Sequence, residues 1–294
     1  MTLPLPELFR SRTTESLGTS EAERLFAALD NGESPVSIRF NPYKIGSQPE
    51  GRQVPWCRYG YYLDERPQFT LDPAFHGGAY YVQEASSMFL EAIFRQIFEP
   101  DAAPRILDLC AAPGGKTLLL AEEMQGTGRL VSCDAAENRV RLIRTAVERM
   151  GFANVETLCN DATRQNPSLP QADRILVDAP CSGLGILAKK PDIRYKTLDK
   201  ARHDELLATQ SAILDTAASL LKAGGRLVYS TCTIDPAENE EQVAAFLARH
   251  PEFSVVTSEV PFPAGMTVGE HGALSVPTRT GMDGFFLCAM QKAQ

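Results

Sequence analysis

The stretch RILDLCAAPGGKT (residues 105–117) decides the fold. A short apolar run stops at a turn of small residues, and Lys116-Thr117 then opens an apolar helix, KTLLLAEEM (116–124). Strand, glycine turn and helix are the first unit of an open α/β sheet. The unit then repeats. RLVSCD (129–134) precedes a helix from about Glu137 to Met150, stopped by Gly151, and VETLCND (155–161) and RILVDA (174–179) read as further strands. A helix over 203–222 carries Leu207, Leu214 and Leu221 beside Leu206, Ile213 and Leu220, with Gly224-Gly225 as its stop and RLVYST (226–231) as the next strand. Asp235-Pro236-Ala-Glu238 reads as a helix start, with Asp235 as N-cap and Pro236 at the first helical position. FSVV (253–256) and GFFLCAM (284–290) close the pattern as an antiparallel pair. The expectation for residues 86–294 is a Rossmann-like α/β sheet, mostly parallel with one antiparallel strand, and helices on both faces.

Residues 1–85 read as a small α+β domain. Ser20-Glu-Ala-Glu23 is a capping box for a short helix through Leu25, Phe26 and Leu29, stopped by Asn31-Gly32. SIRFNP (37–42), VPWCRYGYYL (54–63) and the Pro/Gly-punctuated residues 64–80 follow as short strands and turns. AYYVQEASSMFLEAIFRQIF (79–98) leads into a helix, and the domain boundary is expected near residue 85.

A length of 294 residues suits one large domain or two ordinary ones, and 44% apolar residues suffice for a sizeable core. No apolar run approaches the ~20 residues of a membrane span, and MTLPLPELFRSRTTES lacks the apolar region of a secretory signal. The seven cysteines form no CxxC pair and no Cys/His spacing suited to zinc, so free thiols, a reducing cytoplasm and no metal are expected. A net charge of −8 argues against a bulk electrostatic nucleic-acid binder. Residues 189–202, KKPDIRYKTLDKAR, nevertheless carry six Lys/Arg against two Asp. That stretch is either a solvated loop and helix start or a rim that contacts phosphates.

The glycine turn admits two readings. A phosphate loop needs GxxxxGK[ST]. GKT stands at 115–117, but position 110 is Cys, and Pro113 removes one N–H from the cradle. The alternative is an adenosine pocket. Asp134 ends the second strand, where a carboxylate accepts ribose hydroxyls, although it also suits a helix cap. Asp161 closes the third strand, placed to accept from an adenine amino group. Together they describe a pocket for an adenosine with no obligatory phosphate, which S-adenosylmethionine satisfies.

Two thiols stand at the same sheet edge, Cys181 in ILVDAPCSGLG (175–185) and Cys232 in GRLVYSTCTIDPAENE (225–240). Cys110, Cys133, Cys159 and Cys288 read more simply as small strand residues. A thiol matters when the methyl acceptor is an unactivated ring carbon. C5 of a pyrimidine becomes nucleophilic once a thiolate adds at C6. Asp178 is placed to hydrogen-bond the base edge or, if protonated, to assist at N3. The helix start at Asp235 is expected to lower the Cys232 pKa.

Taken together and in this order, DLCAAPGGKT, DAPCSGLG, KKPDIRY, YSTCT and GMDGFF resemble the RNA cytosine-C5 methyltransferases of the RsmB/NOP2/Sun group, over nearly all of residues 80–294. VPWCRYGYYL and YYVQEASSMF are similar to its bacterial ribosomal-RNA branch. The resemblance implies methyl transfer from S-adenosylmethionine to C5 of cytidine in RNA, above all 16S ribosomal RNA. Cys232 then matches the nucleophile that adds to C6, Cys181 the second thiol that aids release, and Asp178 a further catalytic position. Cys110, Ala111, Ala112, Pro113, Gly114, Gly115, Lys116, Asp134, Arg139, Asp161 and Asp178 match cofactor contacts, and Lys190, Asp192 and Arg194 match a motif near the substrate strand. A monomer is expected, with residues 1–85 helping to grip RNA through shape and aromatics, since their own charge is −3. Many bacterial relatives carry a further C-terminal RNA-binding module, whereas this sequence stops after GFFLCAMQKAQ. The alternatives are the same chemistry on transfer RNA and an RNA-binding assembly factor that does not methylate. The second is disfavoured by the presence of both thiols and the GGK turn.

Overall fold

A computed structural model describes residues 5–31, 35–44, 51–97, 103–195 and 199–294. The chain opens with two helices, α1 (Glu7–Leu17) and α2 (Thr19–Asn31), joined at Gly18, whose φ is +77°. Sequence reading found only the second of them, and the expected stop at Gly32 lies outside the described residues. Strands β1 (Val36–Phe40), β2 (Arg52–Gln53), β3 (Gly60–Leu63) and β4 (Tyr80–Val82) form a four-stranded antiparallel sheet in the order β2-β3-β1-β4. Between β3 and β4 lies the one-turn helix α3 (Pro73–His76), and α4 (Ala85–Met88) and α5 (Leu90–Ile97) follow.

The second sheet begins at β5 (Arg105–Asp108) and continues through α6 (Gly115–Glu123), β6 (Arg129–Asp134), α7 (Glu137–Met150), β7 (Val155–Cys159), β8 (Ala172–Asp178), α8 (Lys200–Leu220) and β9 (Leu221–Thr231). These strands pair in parallel in the order β7-β6-β5-β8-β9. The interiors of β5, β6, β8 and β9 are largely buried, as parallel strands covered on both faces must be, while the edge strand β7 has no buried residue. After β5 the chain winds outward to β7, then returns to the other side at β8. The crevice beyond Asp108 and Asp178 is therefore a topological switch point, where such sheets bind ligands.

The remaining elements are α9 (Glu240–Arg249), β10 (Phe253–Val255), β11 (Thr267–Gly269), β12 (Gly272–Ser275), α10 (Pro277–Thr280) and β13 (Phe285–Lys292). The expected pairing of β10 with β13 is present, but β13 also runs antiparallel to β9 and carries the β11–β12 hairpin on its far side. The antiparallel flank thus holds four strands where the sequence suggested one. No described helix is long and apolar enough to cross a membrane.

Two sequence expectations fail locally. The Gly224-Gly225 pair does not end α8, which stops at Leu220. It lies inside β9, where the ladder jumps from Ala172↔Leu221 to Arg174↔Arg226, and Gly224 at φ +72° absorbs the irregularity. Nor does Asp235 cap a helix. Its Oδ1 accepts from Ala237 N at 3.0 Å in a turn, and α9 begins only at Glu240.

The two sheets are joined by a buried ion cluster. Arg39 of β1 is 0% exposed and pairs with Glu91 of α5 and with Glu122 and Glu123 of α6. Arg95 closes the cluster with Glu91 and Glu123, each at 3.0 Å. The apolar side chains of α1 and α2, among them Phe9, Leu25 and Phe26, share one core with Phe246 of α9 and Tyr229 of β9. Removing the guanidinium leaves buried carboxylates without compensation, which costs about 3–5 kcal/mol. Arg39→Met is expected to lower unfolding stability by that amount in urea titration. Arg39→Lys is expected to recover only part of it, because a single ammonium cannot fork between α5 and α6.

Candidate active site

The carboxyl edge of the parallel sheet assembles most of the residues singled out in the sequence. The turn after β5 places Cys110 to Gly114 over the start of α6, whose first-turn N–H groups have no partner within the helix. Gly114 has φ +110°, which a side-chain-bearing residue adopts only with strain. Gln83, just beyond β4, donates to the Gly115 carbonyl at 3.2 Å, so the N-terminal sheet braces this turn.

Asp134 ends β6 and is nearly buried. Its Oδ2 accepts from Ala112 N at 3.3 Å and lies 3.4 Å from the Arg139 guanidinium, which also donates to Ala112 O at 3.2 Å. Asp134 Oδ1 accepts from Ala136 N at 3.3 Å in a turn before α7, whose N-cap is Ala136 without a side-chain bond, so Asp134 does not cap that helix. Asp161 stands beyond β7 and bonds within its own turn to Thr163 and Arg164; the Thr163 hydroxyl and N–H hold its carboxyl below the usual range. Asp108 lies beneath the turn. Burial pushes its carboxyl up to about 7 against the Thr117 hydroxyl bonded to Oδ2, and its Oδ1 has no partner. An unstrained glycine turn, open helix N–H groups and carboxylates at successive strand ends form a donor and acceptor set that fits an adenosine. They do not fit a triphosphate, which the acidic edge repels.

Beside this pocket stand the thiols. Cys181 Sγ and Cys232 Sγ are 3.2 Å apart, the first on the loop after β8 and the second just beyond β9. Asp178 is held by Lys116 Nζ at 2.7 Å on Oδ2 and by Ser230 Oγ at 2.8 Å on Oδ1. Both oxygens thus already accept hydrogen bonds, one from an ammonium and one from a hydroxyl.

The two thiols are electrostatically unequal. The hydrogen bond from Cys181 holds the Cys232 thiol below its ordinary value, with Lys116 and Lys190 assisting, against burial and the charge of Asp178. The same hydrogen bond raises Cys181, together with burial and the charge of Glu238. The helix start expected to depress Cys232 is absent from that position, since α9 begins eight residues later. The Cys181 hydrogen bond supplies most of the effect instead, and Lys116 and Lys190 add to it.

Of the basic stretch, Lys190 is near enough for its charge to act on Cys232. Lys190 and Asp192 are exposed, while Lys189 pairs with Asp283 at 2.9 Å. The side chain of Arg194 lies outside what the structure describes, although its backbone belongs to a short helical turn, Pro191–Tyr195.

Sequence reading missed the polar layer behind the thiols. Glu238 is fully buried and accepts from Ser182 N at 2.9 Å, from Ser182 Oγ and from Gln210 Nε2 at 3.0 Å. His203 and Arg12 both bond Asp235, at 3.0 and 2.9 Å. His203, Asp235 and Glu238 offer ligand atoms within 4.8 Å of one another, but Arg12 already supplies a cation there and the remaining contacts are made.

A glycine turn at the switch point of a doubly wound sheet, with a thiol pair at the next two strand ends, defines a Rossmann-like α/β domain with a candidate site at its carboxyl edge. The chain belongs to the 16S rRNA methyltransferase RsmB/F family, which it matches over residues 95–291; residues 5–85 match the N-terminal domain of 16S rRNA methyltransferase RsmF. It is 35% identical over 307 aligned residues to ribosomal RNA small subunit methyltransferase F of Cronobacter sakazakii, covering 98% of this chain and 63% of the relative. To the probable ribosomal RNA small subunit methyltransferase B of Bacillus subtilis it is 39% identical, covering 74% of this chain and 49% of that protein. The chain thus spans about half to two thirds of the length of these relatives. Among solved structures, a methyltransferase homolog protein from Pyrococcus horikoshii matches with TM-score 0.80 at 28% identity, over 97% of this chain and 94% of the other. NSun6 from the same organism matches in fold with TM-score 0.85 at 20% identity, over the whole of both chains.

Because Cys232 is the thiol held low, its alkylation by iodoacetamide is expected to exceed that of Cys181 at neutral pH and to persist to lower pH than for a free thiol. Lys116→Met removes the nearest ammonium and leaves Asp178 unpaired, and both changes raise the Cys232 pKa. Peptide mass spectrometry is expected to show slower Cys232 alkylation in that variant, with its midpoint moved to higher pH.

Proposed function

We propose that the protein transfers a methyl group from S-adenosylmethionine to C5 of cytidine in 16S ribosomal RNA, through a transient bond between Cys232 and C6 of the base. The observation that carries this reading is the 3.2 Å thiol pair, with ammonium groups acting on one member and a carboxylate on the other. Methyl transfer to an exocyclic amine needs no thiol, whereas transfer to a pyrimidine ring carbon needs a nucleophile at C6.

The cofactor supplies an electrophilic methyl group. The turn from Cys110 to Lys116 would hold it, together with Asp134, Arg139, Asp161 and Asp178. Cys232 Sγ adds to C6 and makes C5 electron-rich. Asp178, kept as an acceptor by Lys116 and Ser230, receives a hydrogen bond from the amino group of the cytosine edge. Once C5 carries the methyl group, its proton leaves to a base and the Sγ–C6 bond breaks, with Cys181 assisting that release. The target base must leave its stack to reach the thiols, which favours single-stranded or flexible RNA. Lys190, Asp192 and Arg194 lie on the rim that the RNA strand would cross, and residues 1–85 extend the contact.

Cys232→Ala is expected to abolish methyl transfer while S-adenosylmethionine still binds. Cys181→Ala is expected to accumulate a protein–RNA adduct that survives a denaturing gel. Undiminished turnover in the first variant contradicts the covalent route, and an adduct that forms with Cys232→Ala but not with Cys181→Ala reverses the two roles.

A further inference from the structure

The carboxylate of Glu238 is buried, and its three donors among the described residues are neutral: the Ser182 N–H, the Ser182 hydroxyl and the Gln210 amide. Burying a carboxylate without a direct ion pair costs free energy that a packed apolar side chain would not. Burial accordingly raises its pKa, while the Ser182 bonds oppose the rise. The sequence retains this charge at a position where packing alone does not need it.

What it holds is the backbone around Cys181. Ser182 is clamped through both its N–H and its hydroxyl, and Gln210 Nε2, itself bonded to Glu238, also donates to Pro180 O at 3.0 Å, so Glu238 holds one flank of Cys181 directly and the other through Gln210. Ser182 Oγ also meets Thr233 Oγ1 at 2.8 Å, and Gly185 N donates to Cys232 O at 3.1 Å, which ties the two thiol-bearing loops together. Glu238 is itself anchored to β9, because the Tyr229 hydroxyl donates to its backbone carbonyl at 2.7 Å. From this geometry we infer that Glu238 is a positioning residue that sets the unequal roles of the thiols. It fixes the Cys181 loop and directs the Cys181 S–H toward Cys232.

The charge acts in the same direction as the geometry. The Glu238 charge acts on Cys181, while Lys116 and Lys190 act on Cys232 against the charge of Asp178, which together with the hydrogen bond favours the shared proton on Cys181. The inference rests on the two-thiol reading of this site, but its test needs neither RNA nor cofactor. The experiment compares the ratio of Cys232 to Cys181 labelling by iodoacetamide at neutral pH, by peptide mass spectrometry, in the full chain. Glu238→Gln keeps the shape and removes the charge, and is expected to lower the ratio. Glu238→Asp keeps the charge and is expected to retain more of the ratio than Glu238→Gln does. Should Glu238→Gln fail to fold by circular dichroism, Ser182→Ala serves in its place. It cuts the hydroxyl clamp and is also expected to lower the ratio. An unchanged ratio in whichever variant is folded overturns the role given to Glu238, whatever its activity. A lowered ratio together with a Cys181→Ala variant that accumulates no adduct on RNA upholds that role and contradicts the methyl-transfer reading instead.

Discussion

A single buried guanidinium sets the relation between the two sheets. Arg39 leaves the N-terminal sheet and reaches both α5 and α6, and α6 begins at the glycine turn of the candidate site. Two arginines face three glutamates in this cluster, so full ionisation would leave one uncompensated negative charge in the interior. Burial resolves the excess by pushing the Glu122 carboxyl up to about 8, although Arg39 pulls it down. The same union is repeated at smaller cost by Gln83 on Gly115, by Asn41 on Met150 O at 2.9 Å, and by Arg12 on Asp235. The N-terminal segment is thus bonded to the pocket turn and to the loop behind the thiols.

On that frame, two chemically identical thiols acquire different properties from their surroundings. Both follow parallel strands, and both are partly buried. Lys116 and Lys190 act on one, and Glu238 on the other, so their positions at the edge of a single sheet differ by one strand and one charge environment. The arrangement needs the sheet order itself. β8 and β9 are neighbours, which brings residues 51 positions apart in sequence to 3.2 Å.

Much of this was legible in the sequence because parallel strands announce themselves as apolar runs stopped by small or acidic residues. RLVSCD and the helix from Glu137 to Met150 fall where the structure has β6 and α7. Local signals misled where tertiary demands overrode them. Asp235-Pro236 has the chemistry of a helix start, yet Asp235 is occupied by Arg12 and His203 and the helix waits for Glu240. Gly224-Gly225 looks like a helix stop but serves a strand irregularity. Helix α1 was missed because ELFRSRTTESL has no clear apolar stripe, and only Phe9 and Thr13 are buried along it. Glu238 was read as part of a helix start. No sequence pattern marks a carboxylate whose partners lie at Ser182 and Gln210.

The central claim is that this thiol pair directs methylation to a pyrimidine ring carbon. The most direct measurement incubates the protein with unmethylated 16S ribosomal RNA and methyl-labelled S-adenosylmethionine, digests the RNA to nucleosides and identifies the labelled product by mass spectrometry. The account predicts that the label appears in 5-methylcytidine. Label in an N-methylated or 2′-O-methylated nucleoside would contradict it.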